Sequence, residues 1–218
     1  GGAGARPGRQ GDAVRVLGAA ERVLGRGGPW DGRRVLVPAG PTREHLDPVR
    51  VITNPSSGRM GYALAAAAWA RGAAVTLVSG PTALEPPDGV PVHRVETTAE
   101  LEQSVRALVH QADALFMAAA PADYRPAVRE TAKRARGEGP LQISLEPTAD
   151  ILATLERPPG CIGIGFALET GDGLARAERK LREKRLDFIV LNDALEPGSG
   201  FEVATNRVTI LAADGRRG

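Results

Sequence analysis

Short apolar runs alternate with amphipathic stretches along most of the chain. Residues 33–38 (RRVLVP), 73–79 (AAVTLVS), 92–95 (VHRV), 114–119 (ALFMAA), 161–166 (CIGIGF) and 187–191 (DFIVL) are brief and mostly flanked by turn-forming residues. A strand of a parallel sheet, covered on both faces, reads this way. Between them, residues 60–71, 98–111, 151–156 and 174–185 carry helical periodicity. The first is alanine-rich, and the second has Glu100 and Glu102 in its first turn, where the helix dipole favours acid. Strand, loop, helix and strand in that order make a βαβ unit. Residues 141–145 alternate like a half-buried strand. Residues 201–205 and 207–211 flank Asn206 as a hairpin. The pattern predicts an α/β fold: a doubly wound, mostly parallel, Rossmann-like sheet with a C-terminal hairpin appendage. Residues 1–28, rich in Gly and Arg around one short helix at 13–24, read as a linker or arm, and 29–218 as the domain.

Composition narrows the functional classes. The 218 residues suffice for one α/β domain with a real core. A net charge of +2 does not argue for nucleic acid, and no apolar run approaches the ~20 residues of a membrane span. Cys161 is the only cysteine, so an internal disulfide is impossible and a reducing cytoplasm fits. His45, His93 and His110 are scattered without metal-ligand spacing, and metal ligands stay unassigned. One bias stands out. Of 28 basic residues only Lys133, Lys180 and Lys184 are lysine, and the other 25 are arginine. Lysine is a compact point charge where arginine is a wide fork, so retained lysines mark positions where the fork would not serve.

The candidate chemistry lies just past the strand ends, where open α/β sheets bind ligands. Gly40, Thr42 and Arg43 follow the first strand. Thr53-Asn54-Pro55-Ser56-Ser57-Gly58-Arg59-Met60 runs from a small polar loop into a helix start. Unpaired N–H groups and the dipole suit such a place to phosphate or carboxylate, while the competing reading makes Ser56 or Ser57 an ordinary N-cap. Asp123, the Lys133 segment, Phe166 to Thr170 and Asn192 follow later strands. Three lysines with Asn54, Asp123 and Glu169 on one edge suit a polyphosphate. A dinucleotide oxidoreductase would want an acidic residue after the second strand, where Ser79-Gly80-Pro81 stands. A non-catalytic nucleotide-binding domain is the other rival. No GxSxG is present, and Cys161 lies in a buried strand, so no covalent nucleophile is evident.

Six motifs carry a resemblance. They are GPTRE at 40–44, DPVR at 47–50, NPSSGRMG at 54–61, AAAPADYR at 118–125, GFALET at 165–170, and Lys180-x3-Lys184-x2-Asp187. In order and spacing, over about residues 33–211, the chain resembles phosphopantothenate–cysteine ligase, the synthetase half of bacterial bifunctional coenzyme A biosynthesis proteins. The resemblance implies an enzyme that activates 4′-phosphopantothenate with CTP and Mg²⁺ as an acyl-cytidylate, which cysteine then converts to an amide. It implies catalytic roles for Asn54, which holds the acyl group, and Lys133. It implies nucleotide contacts at Met117, Ala118, Ala119, Asp123, Thr148, Ala149, Asp150, Ile151, Leu152 and Phe166, and triphosphate contacts at Lys133, Lys180 and Lys184. Gly40, Thr42, Arg43, Ser56, Ser57, Gly58 and Met60 would form the substrate and phosphate loop. A homodimer with the site near its interface is also implied, with the 201–211 hairpin as the packing element. Departures are a basic loop reading Lys133-Arg134-Ala135-Arg136 where the family has several lysines, and Pro121 and Leu168 where it has small or aliphatic residues. The family's decarboxylase half is expected to precede the domain, with 1–28 as its linker.

Overall fold

Among the described residues seven strands form one sheet. The computed structural model describes residues 10–133, 135, 137, 140–169, 172–193 and 208–218, and for 10–16, 169 and 193 the backbone alone. The strands are β1 (Arg34–Pro41), β4 (Ala74–Ser79), β5 (Val92–Arg94), β6 (Ala114–Ala120), β9 (Ile162–Glu169), β10 (Phe188–Asp193) and β11 (Val208–Ala212). All pairings are parallel except β10 with β11. Across the sheet the order is β11-β10-β9-β6-β1-β4-β5, so β6 is central and β1 lies beside it. The chain moves from β1 to β4 and β5 on one side, then back to β6, β9 and β10 on the other, the doubly wound arrangement expected from the sequence.

Alternation along each strand divides the core in two. Val35, Val37 and Ala39 of β1, with Val75 and Leu77 of β4, meet Tyr62, Ala65 and Ala68 of α2 (Arg59–Ala70). Leu36, Val78 and Leu115 face the other way, onto Leu101, Val105 and Val109 of α3 (Thr98–Val109) and Ile151 of α4 (Ile151–Thr154). Ala177 and Leu181 of α5 (Gly173–Glu183) pack with Ala167, Ile189, Leu191 and Leu211 at the β11 end. Leu77 and Leu115 are fully buried, and truncating either to alanine is worth about 2–5 kcal/mol. α3 starts on a capping box: the Thr97 hydroxyl accepts from Glu100 N–H and the Glu100 carboxylate returns to Thr97 N–H.

Three features differ from the sequence reading. The first strand continues past Pro38 to Pro41, because Ala39, Gly40 and Pro41 pair in register with Ala118, Ala119 and Ala120. Two small antiparallel hairpins rise beyond the carboxyl edge: β2 (Arg43–His45) with β3 (Val51–Thr53), and β7 (Tyr124–Pro126) with β8 (Leu145–Pro147). The alternating strand expected at 141–145 is therefore shifted, with only Leu145 in it. Its partner β7 is too short for period-two alternation to show. The 201–205 arm of the expected C-terminal hairpin lies outside the described residues. Its other arm is β11, seated on β10. The helix near the N-terminus is α1 (Gln10–Leu24). Its Arg22 donates to the carbonyls of Trp69 and Ala73, 2.6 and 3.0 Å away, and its guanidinium lies 4.8 Å over the Trp69 ring.

Candidate active site

The strand order reverses between β1 and β6, and ligands of open α/β sheets bind outside that point. Only small side chains stand there, Ala39 and Gly40 opposite Ala118 and Ala119. α2 comes close because residue 61 is glycine: a Cβ there would fall 2.4 Å from the Ala39 Cβ. Gly58 ends the preceding loop with φ 76°, and it caps α2 with no side-chain cap bond. The reading of Ser56 or Ser57 as the N-cap is thereby corrected. Their hydroxyls meet Gly58 N and Arg59 N at 3.4 Å, within the turn. The start of α2, with the positive end of its dipole, adjoins the crevice, which Ser57, Gly58, Arg59 and Met60 line.

The crevice has two lobes that share Ala119 and Phe166. The first, about 340 Å³, takes Asn54, Ser56, Ser57, Gly58 and Met60 from the loop, Ala118 to Ala120 from β6, Phe166 to Leu168 from β9, and Lys180, Val190, Asn192 and Val208. The second, about 240 Å³, is lined by Met117, Ala119, Pro121, Ala122, Asp123, Thr148 to Leu152, Phe166 and Lys184. The first is cationic and amidic over an apolar floor. The second is a pocket of turns with two carboxylates and one ammonium.

Local sequence explains how each wall is held. Asp150 caps α4 through Ala153 N–H at 3.2 Å, and its other oxygen meets Lys184 Nζ at 3.1 Å. Thr148 turns inward, its hydroxyl donating to the Ala122 carbonyl at 2.6 Å and its N–H to the Asp123 carbonyl at 2.9 Å. Asn54 Nδ2 donates to the Pro121 carbonyl at 2.9 Å, which ties the two lobes at their junction. Behind this wall Thr42, Thr98, Glu44 and Asp47 are buried polar groups. Glu44 accepts Thr98 N–H at 2.8 Å. Asp47 accepts the N–H groups of Val49 and Arg50 and pairs with the Arg50 guanidinium. Burial pushes the Cys161 thiol up, away from the thiolate form a nucleophile needs, and Cys161 lines neither lobe.

The structure brings most of the expected residues together and separates some. Asn54, Ser56, Ser57, Gly58, Met60, Ala118, Ala119 and Lys180 fall in the first lobe. Met117, Asp123, Thr148, Ala149, Asp150, Ile151, Leu152 and Lys184 fall in the second, with Phe166 in both. Lys180 and Lys184, expected on one helix face, serve different lobes, because the helix ends at Glu183 and Lys184 is its C-cap. Lys133 is exposed and lines neither lobe. Arg43 is exposed on β2, Gly40 underlies the loop, and Thr42 is fully buried behind the second lobe. Arg59, Ala120 to Ala122, Ala167 and Leu168 line the lobes and stood within the motifs without a role, while Val190, within β10, and Val208, at the start of the antiparallel β11, were missed. Thr98 carried no signal, since it looks like an ordinary helix residue, and Glu44 stood within the 40–44 motif without a role. Among the described residues no group of three or more His, Cys, Asp or Glu could hold a metal ion. None of the described helices is long and apolar enough to cross a membrane.

A doubly wound domain with a two-lobed crevice at its switch point defines the class. Within that class, residues 30–218 match the DNA/pantothenate metabolism flavoprotein C-terminal domain, and the chain belongs to that family. It is 42% identical over 191 residues to the coenzyme A biosynthesis bifunctional protein CoaBC of Bacillus subtilis (strain 168), covering 87% of this chain and 47% of that protein. It is 44% identical over 231 residues to CoaBC of Mycobacterium tuberculosis (strain ATCC 25618 / H37Rv), covering 98% and 55%. A cysteine/cysteine sulfinic acid decarboxylase from an unknown prokaryotic organism is 47% identical over 186 residues, covering 84% and 52%. The chain thus spans about half the length of the curated relatives it matches. The crystal structure of the C-terminal domain of CoaBC superposes with a TM-score of 0.72 at 42% identity, over 86% of this chain and 85% of that one.

Proposed function

We propose that this domain joins 4′-phosphopantothenate to L-cysteine in coenzyme A biosynthesis, using CTP to make an acyl-cytidylate. The observation that carries the reading is the two-lobed crevice, with Asn54 and Phe166 where the lobes meet. Two substrates that must react with each other need adjoining sites. The bifunctional coenzyme A relatives support the choice of substrates.

The steps follow from charge. A carboxylate expels oxide poorly, so its oxygen first attacks the α-phosphorus of the nucleotide and pyrophosphate leaves. The cysteine amine then attacks the acyl carbon, the C–O bond to phosphate breaks, CMP departs and the amine loses a proton. The protein's part is to align carboxylate with α-phosphate and to balance the charge of the leaving pyrophosphate. In this reading Asn54 and the α2 N–H groups orient the acyl end in the first lobe. The turn at Thr148–Leu152 with Asp123 receives the cytosine nucleotide, and Lys180 and Lys184 approach the phosphates from the two sides. Mg²⁺ would ride mainly on nucleotide phosphates, with Asp123 as a carboxylate neighbour, because protein donors there are few. Lys133 enters as a third cation in the proposal, to be tested by variant.

A homodimer belongs to the same proposal. The 42–53 and 124–147 hairpin region exposes Val49, Val51, Tyr124, Leu141, Ile143 and Leu145, with Val128 beside them. Apolar side chains gathered on projecting hairpins suit a second copy. The bifunctional relatives further suggest a decarboxylase partner domain, and the single cysteine suits work in the reducing cytoplasm.

The test mixes the protein with 4′-phosphopantothenate, cysteine, Mg²⁺ and each of the four nucleoside triphosphates. Pyrophosphate release and amide mass are followed, with carbon dioxide release from cysteine measured in parallel. Amide formed with CTP supports the reading. Carbon dioxide without amide would favour the cysteine decarboxylase relative instead.

A further inference from the structure

One peptide group at the junction is held at both ends. The carbonyl of Pro121 and the N–H of Ala122 belong to the same peptide unit, between the two lobes. Asn54 Nδ2 donates to that carbonyl at 2.9 Å, and the N–H donates to Thr42 Oγ1 at 2.8 Å. Thr42 also reaches Asn54 from the other direction: its own carbonyl accepts the hydroxyl of Thr53, the residue before Asn54, at 2.7 Å. Its hydroxyl in turn lies 2.8 Å from Thr98 Oγ1. Thr42 is 0% and Thr98 2% exposed, so no water can substitute for these partners.

We infer that Thr42 is the positioning residue of the crevice: through the Pro121–Ala122 peptide it fixes the Asn54 carboxamide and couples one lobe to the other. The physical ground is that Asn54 alone has rotatable bonds and one anchoring acceptor. That acceptor points correctly only while its peptide plane is held, and Thr42 grips the far end of the plane. Ala122's carbonyl continues the chain of bonds, accepting Thr148 Oγ1 at 2.6 Å and Thr98 Oγ1 at 3.4 Å. A tilt of the peptide would therefore move the nucleotide wall and Asn54 together. A hydroxyl is required because Ala122 N–H needs an acceptor and Thr98 a reciprocal partner. Valine has the shape but neither capacity.

The inference deepens the ligase reading, and the experiment separates the two. Thr42→Val and Thr42→Ser are made in the full chain, alone and with Asn54→Ala. Thr42→Val should lower kcat about tenfold or more and also raise KM for CTP as the nucleotide wall shifts, while Thr42→Ser recovers most of both. In the Asn54→Ala background Thr42→Val should cost under about twofold in kcat, since positioning an absent group has no value. Independent of any assay, only Asn54, Asn192 and Asn206 supply asparagine amide signals. In ¹⁵N-asparagine-labelled protein the Asn54 pair, assigned with Asn54→Asp, should shift in Thr42→Val and return in Thr42→Ser. An unmoved Asn54 signal, or losses that simply add in the double variant, overturns the inference. Should the parent form no amide, the ligase reading fails and the amide spectrum still decides the clamp. Should Thr42→Val not fold, Thr98→Val takes its place under the same criteria.

Discussion

At the carboxyl edge of the sheet, Thr42, Glu44, Asp47, Ser79 and Thr98 are buried and bond to backbone, to one another or to a neighbouring side chain. At the amino edge, Asp113 and Asp187 remain a third to a half exposed, and each simply receives the N–H of a strand start, Arg34 and Gly163. The contrast follows from what each edge must do. The amino edge only has to begin strands, and half-solvated ion pairs suffice. The carboxyl edge must keep turns, two hairpins and a helix start in one shape around open space. Irregular backbone offers no ladder, so side chains there supply the missing partners, and burying them is tolerable because they are satisfied. Substitutions at the first edge should act on the reaction, and at the second on stability.

The largest effect should come from Asn54→Asp. The variant removes the donor to Pro121 and brings a negative charge toward a substrate carboxylate. Product formation should fall on the order of a hundredfold or more, the range seen when one positioned donor is lost. Steady-state rates with melting temperature as a control check it. A native rate would remove Asn54 from the chemistry and blur the contrast between the edges. Next comes Gly61→Ala, which forces a methyl into a 2.4 Å gap beside Ala39. Overpacking of this kind costs about 1–3 kcal/mol in denaturant unfolding. Because α2 carries the loop, activity should fall alongside stability, and a fully active, fully stable variant would mean that the helix can be displaced without harm. Smaller again are Lys180→Arg and Lys184→Arg, which keep the charge but widen it. CTP KM should rise about tenfold for each, with Lys184→Arg also losing its fit to Asp150. Lys133→Arg goes into the same assay, where parental kinetics would take that residue out of the site.

Regular structure was legible in the sequence because buried parallel strands announce themselves as apolar runs. β4 was expected at 73–79 and runs Ala74–Ser79, and α3 was expected to start at Thr98, where it does. A crevice was legible too, because strand ends and small-residue loops locate a switch point, but its division into two lobes was not, and Lys133, expected in it, lines neither lobe. What stayed hidden was held by single long-range bonds. Thr42 reads as a loop residue, yet its partners Thr98 and Ala122 lie 56 and 80 positions away. The hairpins β2–β3 and β7–β8 were missed for a related reason: three-residue strands hold too few positions for any period to emerge. Their register is set by tertiary contacts such as Glu130 N–H to the Leu46 carbonyl at 2.9 Å.

The smallest effect belongs to the amino edge and tests the contrast from its other side. Asp187 stands just before β10, accepts Gly163 N–H at 2.7 Å and pairs with Arg157 Nη1 at 2.8 Å. Partial burial alone would raise its pKa, but the Gly163 N–H and the Arg157 guanidinium outweigh it and hold the carboxyl below its ordinary 3.8. A carboxyl whose folded pKa is depressed stabilises the fold above its unfolded value, and the contribution fades as pH drops through the folded pKa. Asp187→Asn keeps an acceptor for Gly163 and loses only the charge. At neutral pH it should therefore unfold more easily by about 0.2–1 kcal/mol, the range of a half-exposed ion pair. On acidification below the usual carboxylate range the two proteins should converge, since the parent's carboxyl is then protonated as well. The measurement is urea unfolding of both proteins from neutral to acid pH, with turnover at neutral pH alongside. The site lies at the opposite edge of the sheet, so kcat should stay at the parental value. A gap that widens in acid would reverse the sign of the Asp187 contribution, and a fall in kcat would mean the two edges are not separable.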